Sequence, residues 1–204
     1  TVIGQLRVNG STATSFAVDA DLLHQDAATG GSRLLADGRI TPGDAPRVDD
    51  LIVRLQPLQL ALVRAFSPDL EVEGVAAGRI ALDGTLEALA VDADLTHESG
   101  ETGRSRLLAN GSVGFADAFT ARGLNLRLDP LQVALARAVA PDLPVGGTLE
   151  GTARVTGTQG ARFDAVLDLT HRDTTGTTAV EGGAGVGFGE PIAFAADLRV
   201  PALS

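Results

Sequence analysis

Residues 89–97 read Leu89-Ala90-Val91-Asp92-Ala93-Asp94-Leu95-Thr96-His97. Leu89, Val91, Ala93 and Leu95 share one parity, and Asp92 and Asp94 share the other. Alternation at period two marks a strand with one apolar face and one wet face. The pattern spreads in both directions. Upstream, Gly78-Arg79-Ile80-Ala81-Leu82-Asp83-Gly84 puts Gly78, Ile80, Leu82 and Gly84 on one side. Downstream, Leu107, Ala109, Gly111, Val113 and Phe115 share a side, followed by Leu124, Leu126 and Leu128. Gly, Asp, Thr and Ser fill the gaps, and these are turn residues. Alternating strands joined by short connections predict an antiparallel meander.

The same text recurs along the chain. Ser32-Arg33-Leu34-Leu35-Ala36 returns as Ser105-Arg106-Leu107-Leu108-Ala109. Pro57-Leu58-Gln59 returns as Pro130-Leu131-Gln132, and Pro68-Asp69-Leu70 as Pro141-Asp142-Leu143. Each offset is 73 (105−32, 130−57, 141−68). Asp21-Leu22-Leu23-His24, Asp94-Leu95-Thr96-His97 and Asp168-Leu169-Thr170-His171 add a third copy, at offsets of 73 and 74. Residues 1–204 therefore read as one repeat array: repeat one 2–74, repeat two 75–147 and a truncated repeat three 148–204. The parity holds in the other copies. It groups Phe16, Val18, Ala20 and Leu22, then Leu34, then Leu51, Val53 and Leu55. In repeat three it groups Phe163, Ala165, Leu167 and Leu169, then Val180, Gly182, Ala184, Val186 and Phe188.

Asp129-Pro130-Leu131-Gln132-Val133-Ala134-Leu135-Ala136-Arg137-Ala138-Val139 reads as a short helix. Asp129 suits the N-cap, and Pro130 suits the first helical position, where a missing N–H costs little. Ala140-Pro141 would end it. The counterpart in repeat one runs from Gln56 to Phe66, so helices are expected over 57–66 and 130–139. Four strands in each of three copies give about twelve strands, and at about 4.8 Å per strand the sheet spans roughly 55–60 Å. Two short helices cannot cover a face that wide. The expected fold is therefore all-β: a repetitive antiparallel sheet, curved over its own apolar face as a rolled sandwich, barrel or open groove, with short helices between repeats and open end strands.

The apolar residues on that face are the candidate groove lining. They are Val18, Leu22, Leu34, Leu51, Val53 and Leu55 in repeat one, and Ile80, Leu82, Leu89, Val91, Leu95, Leu107, Val113, Phe115, Leu124, Leu126 and Leu128 in repeat two. Repeat three adds Leu167, Leu169, Val186 and Phe188. The 44% apolar content is mostly Leu, Val and Ala, and the 3% aromatic content is all Phe. A self-packed sandwich of this size usually fills its centre with more aromatic volume. Thin lining over a wide sheet leaves room for acyl chains. The alternative is a structural β-repeat, a scaffold or adhesin, whose Ala/Leu core is dry.

Net charge is −10, with no basic stripe to neutralise phosphates, so nucleic acid is not an expected partner. Cysteine is absent, which removes disulfides and thiolate metal sites. No apolar run of about 18 residues exists to span a membrane. The chain, which opens at Thr1, reads as a segment cut from something longer, with any targeting sequence or anchor outside it.

The stretch Leu128-Asp129-Pro130-Leu131 and then Pro141-Asp142-Leu143-Pro144-Val145-Gly146-Gly147-Thr148-Leu149-Glu150-Gly151-Thr152-Ala153-Arg154-Val155-Thr156-Gly157 resembles the recurring phrase of the TamB and AsmA-like envelope proteins. In that phrase a "PL…LPDL" rhythm precedes "G-x-L-x-G-x-x-x-x-x-G" and a new alternating strand. Leu55-Gln56-Pro57-Leu58 through Gly84 repeats it, so the resemblance covers nearly the whole chain. It implies a β-taco-like sheet with an apolar trough, a periplasmic location and a role in moving phospholipid between membranes. It also implies partnership with an outer-membrane β-barrel assembly protein. The family's N-terminal anchor and C-terminal partner-binding region are not recognisable in this chain, so that partnership would run through regions outside it.

Catalytic chemistry has no foothold. His24, His97 and His171 recur in register at the end of strand two, roughly 19 Å apart at four strands per copy, too far for one metal site. They read as rim residues at a strand end. Asp19/Asp21 and Asp92/Asp94 look like carboxylate pairs, but they point away from the apolar face. Arg7, Arg79 and Arg154 share that outer face, so cross-strand ion pairs are the better reading. Gly182-Gly183-Ala184-Gly185-Val186-Gly187 opens no helix and is not a nucleotide loop. The expectation is a non-enzymatic protein with no cofactor.

Overall fold

Alternation becomes strand in every copy. The computed structural model describes residues 1–11, 13–26, 30–65, 72–136, 146–187 and 193–200. Repeat one forms β1 (Val2–Gly10), β2 (Phe16–Asp26), β3 (Gly30–Thr41) and β4 (Arg47–Gln59). Next come β5 (Val75–Thr85), β6 (Ala88–Ser99), β7 (Gly103–Gly114) and β8 (Thr120–Gln132). The last four are β9 (Thr148–Thr158), β10 (Arg162–Asp173), β11 (Gly176–Gly187) and β12 (Ala193–Arg199). All twelve belong to one sheet in sequence order, and each strand pairs antiparallel with the next. The order ends at β1 and β12, so the sheet is open, not closed into a barrel.

Directly opposed residues share a face, so the register defines rows across the sheet. One row runs Leu6, Ala20, Ala36, Val53, Ile80, Ala93, Ala109, Leu126, Ala153, Leu167, Gly182 and Leu198. It crosses every strand without meeting a polar side chain. A neighbouring row runs Leu22, Leu34, Leu55, Gly78, Leu95, Leu107, Leu128, Gly151 and Leu169. We call this side the apolar face.

Among the described residues, no second layer of comparable size covers it. A compact chain of this mass exposes about 8,900 Å², whereas this one exposes 12447 Å². Among the described residues, Ala20, Leu89, Val113, Ala121, Leu128 and Val133 are the buried apolar side chains. Most of the apolar face is only half-buried, as Leu34, Val53, Leu55, Ile80, Leu95, Leu107 and Leu126 illustrate.

Repeats meet at β4–β5 and β8–β9, and each junction carries two bulges. The register shifts between Val48 and Leu51 and between Leu55 and Leu58 in β4, and between Ala121 and Leu124 and between Leu128 and Leu131 in β8. The first bulge holds Asp50 at φ 50° and Gly123 at φ 65°. A bulge frees a backbone group from the ladder. Here the Asp50 N–H donates to Asp83 Oδ2 at 3.3 Å, and the Gly123 N–H donates to Thr156 Oγ1 at 3.2 Å.

The second bulge corrects the helix expectation. Asp129 and Pro130 lie inside β8, and Pro57 lies inside β4, so none of them starts a helix. A bulge tolerates a residue without an N–H for the same reason a helix's first turn does: no bond is required there. Strand then gives way to a 3-10 segment at Leu60–Ala65 in repeat one and to α1 (Val133–Ala136) in repeat two. The rest of both expected helices, Phe66 and residues 137–139, falls outside the described residues. Ser32 and Ser105, both buried, complete the corner. Ser32 Oγ accepts the Gln59 N–H at 2.8 Å, and Ser105 Oγ accepts the Gln132 N–H at 2.9 Å. One residue on, the Leu60 N–H donates to Gly74 O and the Val133 N–H to Gly147 O, both at 2.9 Å.

Candidate functional site

The candidate site is the apolar face itself. The lining residues expected from the sequence lie on it, with two exceptions. Val18, Leu22, Leu34, Leu51, Val53 and Leu55 are joined by pairing to Ile80, Leu82, Leu89, Val91 and Leu95. The rows continue through Leu107, Val113, Leu124, Leu126 and Leu128 to Leu167, Leu169 and Val186. Phe115 is the first exception. β7 ends at Gly114, and Phe115 lies just past it, 54% exposed. Its ring is 5.5 Å from Phe119, which is 5.9 Å from Phe163, so the aromatic mass gathers at one end of the strands. Phe119 escapes a parity reading because it sits in a connection. Phe188 is the second exception and lies outside the described residues.

The other end of the strands carries the repeat corners. Leu60, Val72, Ala76, Leu95, Leu107, Leu131 and Leu135 surround an apolar concavity of about 200 Å³, with His97 and Ser105 at its margin. The recurrent histidine has a task there that alternation does not reveal. His97 Nε2 lies 2.6 Å from Glu73 O, and His171 Nε2 lies 2.6 Å from Gly146 O. Each ring donates to the carbonyl that precedes the next repeat's approach to strand one. His97 and His171 thus tie the returning chain to the end of strand two.

The opposite face carries the charged side chains, with Ile3, Leu23, Leu35, Leu108 and Val166 among them, and the larger hollows lie on it. One of about 770 Å³ is walled by Arg79, Asp92, Asp94, Arg127, Arg154 and Asp168. Another, of about 610 Å³, is walled by Arg7, Asp19, Asp21, Arg33, Asp37 and Arg54. Charged side chains stand beside apolar ones in both, with Leu108 and Val166 in the wall of the first and Ile3, Leu23 and Leu35 in the wall of the second.

Two of the expected cross-strand ion pairs form, though loosely. Arg7 reaches Asp19 only at 3.9 Å, and Arg79 reaches Asp92 at 3.5 Å. Tighter pairs form from strand three, and within single strands Arg162 reaches Asp164 at 2.6 Å and Arg47 reaches Asp49 at 2.5 Å. Arg33 donates to both oxygens of Asp21 at 2.9 and 2.7 Å, and Arg106 does the same to Asp94 at 2.9 and 2.7 Å. These hydrogen bonds, with the guanidinium charge behind them, hold both carboxyl groups below the usual carboxylate range. A diagonal neighbour suits them because a bidentate fork needs length and angle that a directly opposed pair does not give. The Arg33 pair is exposed and the Arg106 pair only part-buried, so each adds little to stability.

Among the described residues, no group of three or more His, Asp or Glu side chains is placed to hold a metal ion. No helix among them is long and apolar enough to cross a membrane. No family model, no curated protein and no solved structure matches this chain.

Proposed function

We propose that this chain holds phospholipid acyl chains along its apolar face, as a non-enzymatic segment of a bacterial envelope protein of the TamB and AsmA-like kind. The observation that carries the reading is the row from Leu6 to Leu198, which crosses all twelve strands without a polar side chain and lacks a matching second layer. An apolar face of that width needs an occupant.

Glycine supports a face that curves into an open groove. Gly78 and Gly151 lie on the apolar face at φ 140° and 130°. A Cβ there would overlap the carbonyl oxygen of Asp94 or Asp168 on the next strand. Gly84 and Gly157 repeat the pattern against Ala88 O and Arg162 O. The neighbouring backbone therefore closes in on the apolar side at each strand one, and glycine kinks of this kind let a sheet bend. Each buried methylene gains about 0.8 kcal/mol, so ten of them supply roughly 8 kcal/mol before ordering costs. The resemblance in sequence supports a periplasmic segment between membranes, with an outer-membrane β-barrel partner engaged through regions outside this chain.

Native mass spectrometry with lipid extraction on the purified chain tests the reading. Wild type should carry phospholipid. Leu126→Asp puts an unpaired carboxylate on the apolar face and should lower bound lipid at least several-fold. Arg127→Asp, one residue along on the polar face, should leave it unchanged, with circular dichroism confirming that both variants are folded. A lipid-free wild type, or a folded Leu126→Asp variant with undiminished lipid, would leave the dry structural repeat as the better account.

A further inference from the structure

We propose that the larger hollow on the charged face binds a compact organic acid, with Arg127 and Arg154 receiving its carboxylate and Val166 its apolar body. The site lies on the face opposite the acyl-chain row and does not rest on that reading. It spans β6 to β10, in the interior of the sheet, and β11 pairs beyond it. Two rows of the register build its working part. One sets Asn125, Arg154 and Val166 side by side, and the next sets Leu108, Arg127 and Thr152. The hollow holds about 770 Å³, within the range of sites that take small molecules.

A break in the repeat pattern is what points to a ligand. In repeat one Arg7 opposes Asp19 and pairs with it at 3.9 Å. Arg154 holds the place of Arg7 in repeat three, since Leu6 with Ala20 and Ala153 with Leu167 are matching pairs of one row. Opposite Arg154, however, stands Val166, 65% exposed. In repeat two the carboxylate of that place is Asp92, and Arg79 takes it at 3.5 Å. Repeat three thus keeps the arginine and has an apolar side chain where the other two repeats supply a carboxylate. Among the described residues, neither Arg154 nor Arg127 makes an ion pair or a side-chain hydrogen bond. A carboxylate brought by a ligand fills the vacant role, and the exposed valine gives its body an apolar contact.

The geometry fixes where each part goes. Asn125 lies directly opposite Arg154 and two residues before Arg127 on β8. Arg127 and Arg154 are therefore diagonal neighbours, roughly 7–8 Å apart at the backbone, and two long side chains can close on one oxyanion above Asn125. The Arg154 guanidinium rests beside Gly123, where no hydrogen bond holds it, so it is free to turn. The hollow's own carboxylates leave that place open. Asp92 is engaged by Arg79 and by Asn110 Nδ2, and Asp94 by Arg106. Asp168 stands on β10, two strands from Asn125. Val166 is also two strands from Asn125, so an apolar body roughly 10 Å long bridges the distance. Two fused rings have about that reach.

Calorimetry and methyl NMR with 2-naphthoate test this on the whole chain. Naphthoate should bind at one site and shift the Val166 methyl signals. Arg127→Gln and Arg154→Gln should each weaken binding by about tenfold, the loss of one charge-assisted contact. Val166→Asp restores the carboxylate of the other repeats and should weaken binding by about tenfold or more. Arg104→Gln, outside the hollow, should leave affinity unchanged, with circular dichroism confirming that every variant is folded. Acetate carries the charge without the body, and 2-naphthalenemethanol the body without the charge. Each should bind about tenfold more weakly than naphthoate, or worse. Several results overturn the proposal: Val166 unmoved by millimolar naphthoate, shifts confined to Leu107 and Leu126 on the apolar face, a folded Val166→Asp variant that binds like wild type, or either control probe matching naphthoate. Since no arm measures lipid, failure here leaves the acyl-chain reading standing, and a lipid-free wild type leaves this one standing.

Discussion

Repeats one and two set the same backbone under different side chains at the first bulge, whereas repeats two and three both keep glycine at an equivalent position of strand one. Asp50 and Gly123 occupy equivalent bulge positions with φ 50° and 65°. Their freed N–H groups find Asp83 in one repeat and Thr156 in the other. At Gly78 and Gly151 the backbone also has positive φ, yet both copies keep glycine. The difference lies in what a Cβ would meet. At Gly123 it would meet the Arg154 guanidinium, first at 2.9 Å, and a long side chain can move aside. At Gly78 it would meet the carbonyl of Asp94, which the ladder holds in place. Positive φ alone does not demand glycine here; a fixed neighbour does.

Substitution at the kinks should give the largest effect. Gly78→Ala is expected to cost about 3 kcal/mol or more in urea unfolding, because backbone must move. Gly123→Ala should cost about 1 kcal/mol, the left-handed conformation alone. Equal losses would erase the distinction between the two sites.

The corner hydroxyls come next, and here the two repeats should behave alike. Ser32→Ala and Ser105→Ala each leave a backbone N–H, of Gln59 or Gln132, without its acceptor, so each should lower stability by about 1–3 kcal/mol. A loss at Ser105 but none at Ser32 would show that the two corners are built differently after all.

At the bulge itself the effect should be smaller and of opposite sign. Asp50→Gly relieves the left-handed strain and should raise stability by a few tenths to about 1 kcal/mol, read as a shift in the unfolding midpoint. A destabilised Asp50→Gly variant would mean that the aspartate side chain has its own role in repeat one.

The weakest effect is on acid stability. Arg33 and Arg106 hold Asp21 and Asp94 below the usual carboxylate range in the folded chain. A lowered folded value stabilises fully above the unfolded value of about 3.9, and that contribution fades as pH falls through the folded one. Thermal stability should therefore be flat from neutral pH to about pH 5 and decline below about pH 4. Arg33→Gln and Arg106→Gln should flatten that decline by similar amounts.

Much of this was legible in the residues. Alternation from Leu89 to Leu95 foretells β6, and the 73-residue offsets carry the same strand to β2 and, with one residue more, to β10. Parity foretells which side Leu126 and Arg127 take, because side-chain direction in a strand is a local property. Pro57 and Pro130 show where local reading stops. A residue without an N–H fits a helix's first turn or a bulge equally well, and only the pairing with β5 and β9 chooses the bulge. Ser32 and Ser105 stand out in the sequence only as repeated letters, since their buried bonds reach 27 residues along the chain. His97 likewise finds Glu73 O across 24 residues.

The sequence by itself determined the strands, their order and the division into one apolar and one polar face, since all three follow from period-two patterning and short turns. The tertiary structure alone decided the register shifts at β4 and β8, the partners of Arg33 and Arg106, and the close backbone contacts at Gly78 and Gly151. Those depend on which atoms of distant residues arrive together, and a linear pattern carries no distances between strands.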